Sequence, residues 1–149
     1  MIKGVEIKKL KFIKDGRGRL AEILRSDEKF FEKFGQIYVT TALPGVVKAW
    51  HYHKKQSDHF FCIFGKMRIG LYDSRQNSPS YKQTQEIIMT FEEPVLLKIP
   101  PLVYHGFKCI SKDEAAVINI PTALYNYKEP DEHRVDPYDN DIPFDWSRM

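Results

Sequence analysis

Apolar and polar residues alternate along most of the chain with a period near two, the spacing of a half-buried strand and not the 3.6 of a helix. Val5-Glu6-Ile7-Lys8-Lys9-Leu10-Lys11-Phe12-Ile13 reads as one such strand. Asp15-Gly16-Arg17-Gly18 reads as a turn, because Asp and Gly tolerate the required backbone angles. A second strand is predicted over 20–24. Further short strands are predicted over 36–41, 46–53, 59–64, 66–72, 86–90, 95–99, 104–110 and 115–120, broken by Pro44-Gly45, by Gly65 and by a polar loop over 73–83. One helix is expected, capped near Ser26-Asp27-Glu28-Lys29 and running to about Phe34. Strands this short and this frequent predict an antiparallel sandwich or barrel. The tail from Glu129 is rich in Pro and Asp, yet Ile142-Pro143-Phe144-Asp145-Trp146 is apolar enough to fold back onto the barrel.

Composition narrows the class without naming a chemistry. The 149 residues fit a single domain, 1–149. Hydrophobic residues make up 42% and charged residues 29%, which excludes a disordered chain, a collagen-like fibre and a coiled coil. No apolar run approaches the ~20 residues of a membrane span. The opening Met1-Ile2-Lys3-Gly4-Val5-Glu6 has no apolar signal core, so a cytoplasmic location is expected. The net charge of +3 is spread among acidic residues, which argues against a nucleic-acid partner. Cys62 and Cys109 lie in apolar runs and are expected to be buried thiols.

The candidate chemistry is imidazole. His51 and His53 are two apart, so in a strand both project from one face. His105 follows Pro100-Pro101 on a strand of its own. Asp58 and His59 have opposite strand parity, so only one of them can join the other histidines. His51, His53, Asp58 and His105 together are a donor set suited to Zn, Fe, Mn or Ni. The spacing Gly45, five residues, His51-Tyr52-His53, four residues, Asp58, six residues, Gly65 resembles the first motif of the cupin superfamily, with Asp58 where Glu is usual. Pro100 with His105 resembles the second, with Leu102 where Gly is usual. That resemblance implies a small antiparallel jelly-roll barrel.

A wider pattern resembles one branch of that superfamily, the dTDP-4-dehydrorhamnose 3,5-epimerases and their sugar-nucleotide isomerase relatives. Asp15-Gly16-Arg17-Gly18-Arg19-Leu20-Ala21-Glu22 is similar to its Asp-x-Arg-Gly-x-x-x-Glu segment, and Gln36-Ile37-Tyr38 to its Gln-x-Asn, with Tyr38 replacing Asn. Gly45-Val46-Val47-Lys48-Ala49-Trp50-His51 is similar to Gly-Val-x-Arg-Gly-x-His, with Lys48 replacing Arg. His105-Gly106-Phe107 and the Asp139…Trp146 tail also match. The resemblance implies a cofactor-free enzyme that takes a hydrogen from carbon next to a ketone in a nucleotide-linked 4-keto-6-deoxyhexose, dTDP-linked in the family. It implies His51 as general base oriented by Asp139, and Arg17 and Glu22 on the nucleotide. Lys48 and His105 are candidates to stabilise the enolate, with Gln36, Tyr38, His53 and Asn119 as further substrate contacts. Imidazole suits the base because its pKa lies near the working pH. A carboxylate on its second nitrogen would fix the tautomer. A homodimer formed by exchange of the strand over 5–13 is also implied.

Two departures bear on the reaction. Asp58 stands where the family has Lys, and Asn119 stands where it has its catalytic Tyr; an amide cannot deliver a proton as a phenol does. Tyr125, Tyr127 and Tyr38 are candidates to take over, and Tyr125 is preferred from its place in the tail. Three alternatives stay open: a 3,4-ketoisomerase on the same substrate class, for which His51-Tyr52-His53 resembles the known His-x-His; a metal-binding cupin; and a non-catalytic sugar-nucleotide binder.

Overall fold

The computed structural model describes residues 1–148. The period-two pattern folds into twelve strands: β1 (Glu6–Lys9), β2 (Ile13–Asp15), β3 (Gly18–Leu20), β4 (Tyr38–Ala42), β5 (Val47–Tyr52), β6 (Asp58–Phe64), β7 (Lys66–Asp73), β8 (Thr84–Thr90), β9 (Val95–Ile99), β10 (Val103–Cys109), β11 (Ala115–Asn119) and β12 (His133–Arg134). Two five-stranded antiparallel sheets face each other, ordered β1-β9-β6-β11-β4 and β12-β5-β10-β7-β8, while β2 and β3 form a hairpin apart from both. This is the jelly-roll barrel expected. Inward positions of both sheets, including Phe60, Cys62, Ile69, Leu71, Leu97, Phe107 and Val117, form one buried core. Cys62 and Cys109 are buried free thiols within it, as expected.

Close strand approach holds the histidine strands in register. A Cβ on Gly106 would come within 2.2 Å of the Ala49 side chain, so only glycine lets β10 lie this tightly on β5. The ladder then sets His105 directly opposite His51. The tail packs across the outer face of β5, β10 and β7. Trp146 and Phe144 pack on the fully buried Trp50, with ring centroids 5.0 and 5.4 Å away. A Cβ on Gly70 would meet Trp146 at 2.7 Å. Lys108 Nζ donates to the carbonyls of Trp146 and Ser147 at 2.9 and 3.1 Å, which pins the backbone of this segment.

Two expectations are corrected. No helix forms among the described residues; 26–30 is a series of turns and 31–34 is irregular. There the Glu28 carboxylate accepts the Arg25 amide at 3.0 Å and Lys8 Nζ at 2.6 Å, local bonds that compete with a helix too short to stand alone. The strand over 5–13 breaks after Lys9, and Ile13 opens the hairpin instead; β3 ends at Leu20, so 21–24 is irregular. β1 stands at the edge of its sheet, with Ile7 paired to Leu97 of the same chain. The detached element is the β2–β3 hairpin. Arg19 anchors it, its guanidinium 4.6 and 4.4 Å from the ring centres of Phe12 and Phe91.

Candidate active site

A cavity of about 510 Å³ opens between the two sheets, lined by Tyr38 and Thr40 of β4, Lys48 and His51 of β5, His53, Asp58 of β6 and His105 of β10, together with Glu132 and Arg134. His51 and His53 share the inward face of β5 and its extension. Parity on β6 resolves as Asp58 inward and His59 outward. His59 is buried beneath Phe30, and its Nδ1–H donates to the Ile120 carbonyl at 2.9 Å.

Asp58 is the electrostatic centre. One of its oxygens lies 3.0 Å from His53 Nε2 and 3.2 Å from His105 Nε2, and Gln56 donates to the other at 2.9 Å. The opposite ring nitrogens, Nδ1 of His53 and of His105, donate to the carbonyls of Asp131 and Val103. Burial works against a charge on Asp58, but the two imidazole bonds outweigh it and hold the carboxyl well below the usual carboxylate range. Burial likewise disfavours a charged His53, yet the bond to Asp58 leaves its pKa raised. His51 is a different case. Burial, reinforced by the neighbouring His105, pushes it down to about 4, so at neutral pH the ring carries no charge and has a lone pair ready to accept a proton. Tyr38 is pushed up to about 12, by burial first and by Asp58 second, so its phenol keeps its proton.

The cavity therefore gathers His51, His53, His105, Lys48 and Tyr38 as the sequence suggested, with Lys48 Nζ 3.5 Å from Thr40 Oγ1. Other candidates lie elsewhere. Asp139 is exposed and does not orient His51. The Asp136 carboxylate accepts the amides of Tyr138 and Asp139, both at 2.8 Å, and this turn carries Asp139 away from the barrel mouth. Tyr125 and Gln36 line a second cavity of about 660 Å³ that shares Tyr38, His53 and Glu132 with the first, so Tyr125 does not face His51. Asn119 is fully buried behind the first cavity, its side chain on Tyr38. Arg17 and Glu22 are exposed on and beside the detached hairpin and pair with Asp15 and Arg25. Of the proposed four-ligand set, His53, Asp58 and His105 converge, with ligand atoms within 4.8 Å of one another, and His51 stands outside it.

Glu132 and Arg134 were missed in the sequence. They sit beside β5, where Arg134 pairs in register with His51, and the two side chains bridge each other at 3.1 Å. Glu132, not Asp139, is the tail carboxylate whose charge supports protonation of His51. The alternation through Glu132-His133-Arg134-Val135 is the only local signal of that strand.

An antiparallel barrel with imidazoles, a buried carboxylate and a lysine converging on a cavity between its sheets defines a cupin-type small-molecule site. The chain belongs to the dTDP-4-dehydrorhamnose 3,5-epimerase family, whose profile matches residues 1–149, and it is an isomerase by that membership. It is 40% identical over 147 residues to the spore coat polysaccharide biosynthesis protein SpsL of Bacillus subtilis, covering 99% of this chain and 97% of that one. It is 40% identical over 140 residues to a probable low-salt glycan biosynthesis epimerase, Agl13, of Haloferax volcanii, covering 93% and 89%. The crystal structure of a dTDP sugar isomerase from Desulfovibrio desulfuricans superposes with a TM-score of 0.92 at 29% identity, over 99% of this chain and 94% of that one.

Proposed function

We propose that this protein epimerises a dTDP-linked 4-keto-6-deoxyhexose in polysaccharide or glycan biosynthesis. His51 removes the hydrogen on carbon next to the ketone. The observation that carries this is His51 itself, uncharged and facing a cavity that also holds Lys48, a donor for the enolate oxygen; both ring nitrogens of His105 are committed to Val103 and Asp58. The sugar occupies the first cavity, and the adjoining one, with Tyr125 and Gln36, gives room for the rest of the substrate. Glu132 takes the supporting part first assigned to Asp139. Arg17 and Glu22 do not line the cavity of their own chain, so a nucleotide role for them requires a homodimer in which the β2–β3 hairpin reaches a second copy; size measurement in solution checks this, and a strict monomer removes both residues from the site. With a dTDP-4-keto-6-deoxyhexose in deuterated water, the protein is expected to place deuterium at C3, and His51→Ala to reduce this by about 10³-fold or more. Retained exchange removes His51 as the base.

A second reading rests on one specific observation. Two imidazoles that give their Nδ1–H to carbonyls present Nε2 to a single Asp58 oxygen. Either both rings are protonated around that carboxylate, or a divalent cation bridges the three groups, whose spacing fits bonds of about 2.1 Å. Elemental analysis of untagged protein separates the two: one metal per chain overturns the metal-independent reading.

A further inference from the structure

Inverting a carbon needs a base on one face of the sugar ring and an acid on the other. His51 belongs to the sheet containing β5 and β10. Its counterpart must come from the facing sheet, which contains β4, β6 and β11. Among the described residues lining the His51 cavity, that sheet offers one phenol, Tyr38. Tyr125 and Tyr127 line the neighbouring cavity instead.

The Tyr38 hydroxyl is held in a defined orientation. Asn119 lies directly opposite Tyr38 in the β4–β11 ladder. Its Oδ1 accepts the His59 main-chain N–H at 3.0 Å, and an amide N–H can only donate, so the orientation of the Asn119 side chain is fixed. Its Nδ2 then points at Tyr38 Oη, 2.9 Å away, and can only donate. Tyr38 accepts this bond, which leaves its own hydrogen to point elsewhere. The same bond stabilises the phenolate that remains once the proton has left.

We propose that Tyr38 is the general acid of this isomerase, and that Asn119 positions it, the phenol being supplied from β4 with the amide on β11. The inference rests on the epimerase reading above. His51 takes the hydrogen from carbon, the C–H electrons pass into the enolate, and its oxygen is held by the cavity donors. Tyr38 then gives its proton to the opposite face of that carbon. A new C–H bond forms, the carbonyl is restored, and phenolate and imidazolium return to their starting forms by exchange with water.

The test is the ratio of two outputs measured on one sample in deuterated water: deuterium washed into recovered substrate, and epimeric product. Tyr38→Phe removes only an oxygen at a half-exposed residue, so the fold is expected to survive. His51 can still remove and return the hydrogen on its own face. Wash-in is therefore expected to stay within about threefold of wild type while epimer falls by about 10²-fold or more. Asn119→Ala is expected to shift the ratio the same way by about tenfold; an equal fall in both outputs would overturn its positioning role. Epimer formation near the wild-type rate in Tyr38→Phe overturns the proposal, as does a parallel loss of wash-in and epimer. A wild-type protein that shows neither output overturns the epimerase reading and this inference with it, whereas failure of Tyr38→Phe to change the ratio leaves that reading standing.

Discussion

Asp58 and Asp73 are both shut away from solvent, at 1% and 0% exposure, yet their surroundings are opposite in kind. Asp73 ends β7, where the long polar loop begins. Its oxygens accept the Arg75 guanidinium at 2.7 and 2.9 Å, the hydroxyls of Ser78 and Ser80 at 2.6 Å each, and the Arg75 amide at 3.1 Å. Those donors are either always charged or unable to change charge, and the loop they tie down lines no part of the histidine cavity. Asp58 faces that cavity and is held by two imidazoles, groups that change charge near neutral pH. A buried carboxylate with fixed donors is a fastener. One with titratable donors at the mouth of a cavity is a site. Burial alone does not separate them; the chemistry of the partners does.

The comparison breaks if the two carboxylates respond alike to removal of charge. Asp73→Asn is expected to have the larger effect on stability, about 3 kcal/mol, because Arg75 is left paired to a neutral amide in a largely buried place. Urea unfolding measures this, and epimerisation per folded molecule should be unchanged. Asp58→Asn is expected to cost less, about 1 kcal/mol, since its imidazole partners can shed their protons. Its effect falls on the reaction, lowering turnover by roughly 10²-fold, the scale of losing an oriented donor at a developing oxyanion. A stability loss in Asp58→Asn equal to that in Asp73→Asn would erase the distinction.

The dependence on pH sharpens it by smaller amounts. Both carboxyls are held below their ordinary range in the folded protein, so stability present above about 4 is lost as the pH falls. His53 works in the other direction. Its pKa is raised on folding, so its contribution is complete below about 6.5 and is lost as pH rises through the folded value. Melting temperatures across pH 3 to 9 should therefore show that Asp58→Asn flattens the alkaline limb, while Asp73→Asn flattens only the acid one.

The sequence made the strands legible because apolar and polar residues alternate through Lys66-Met67-Arg68-Ile69 of β7, while β6 is a short apolar run bounded by Gly65. It made His51, His53 and His105 legible for the same reason, since spacing of two fixes a shared face. The segment over 26–34 resembled a helix because capping residues precede apolar ones, and nothing local reveals that Glu28 is committed to Arg25 and Lys8. Asp139 was misplaced because a turn built on Asp136 decides its direction. Glu132 was invisible because β12 is two residues long and its partner lies far away in sequence. Asn119 looked like a missing phenol until its place opposite Tyr38 was known, a relation between strands that no single segment carries.

The packing of Phe144 and Trp146 on Trp50 also bears on biosynthesis. Ribosomes release a chain from its N-terminal end, so Trp50 and the surface around Gly70 emerge long before the rings that cover them. Until about residue 148 has left the exit tunnel, the growing polypeptide exposes a greasy floor and a lysine, Lys108, with no carbonyls to grip. That outer face of the sheet is covered only once the segment over 144–148 has folded back, and the nascent form without it is the one that chaperones would meet.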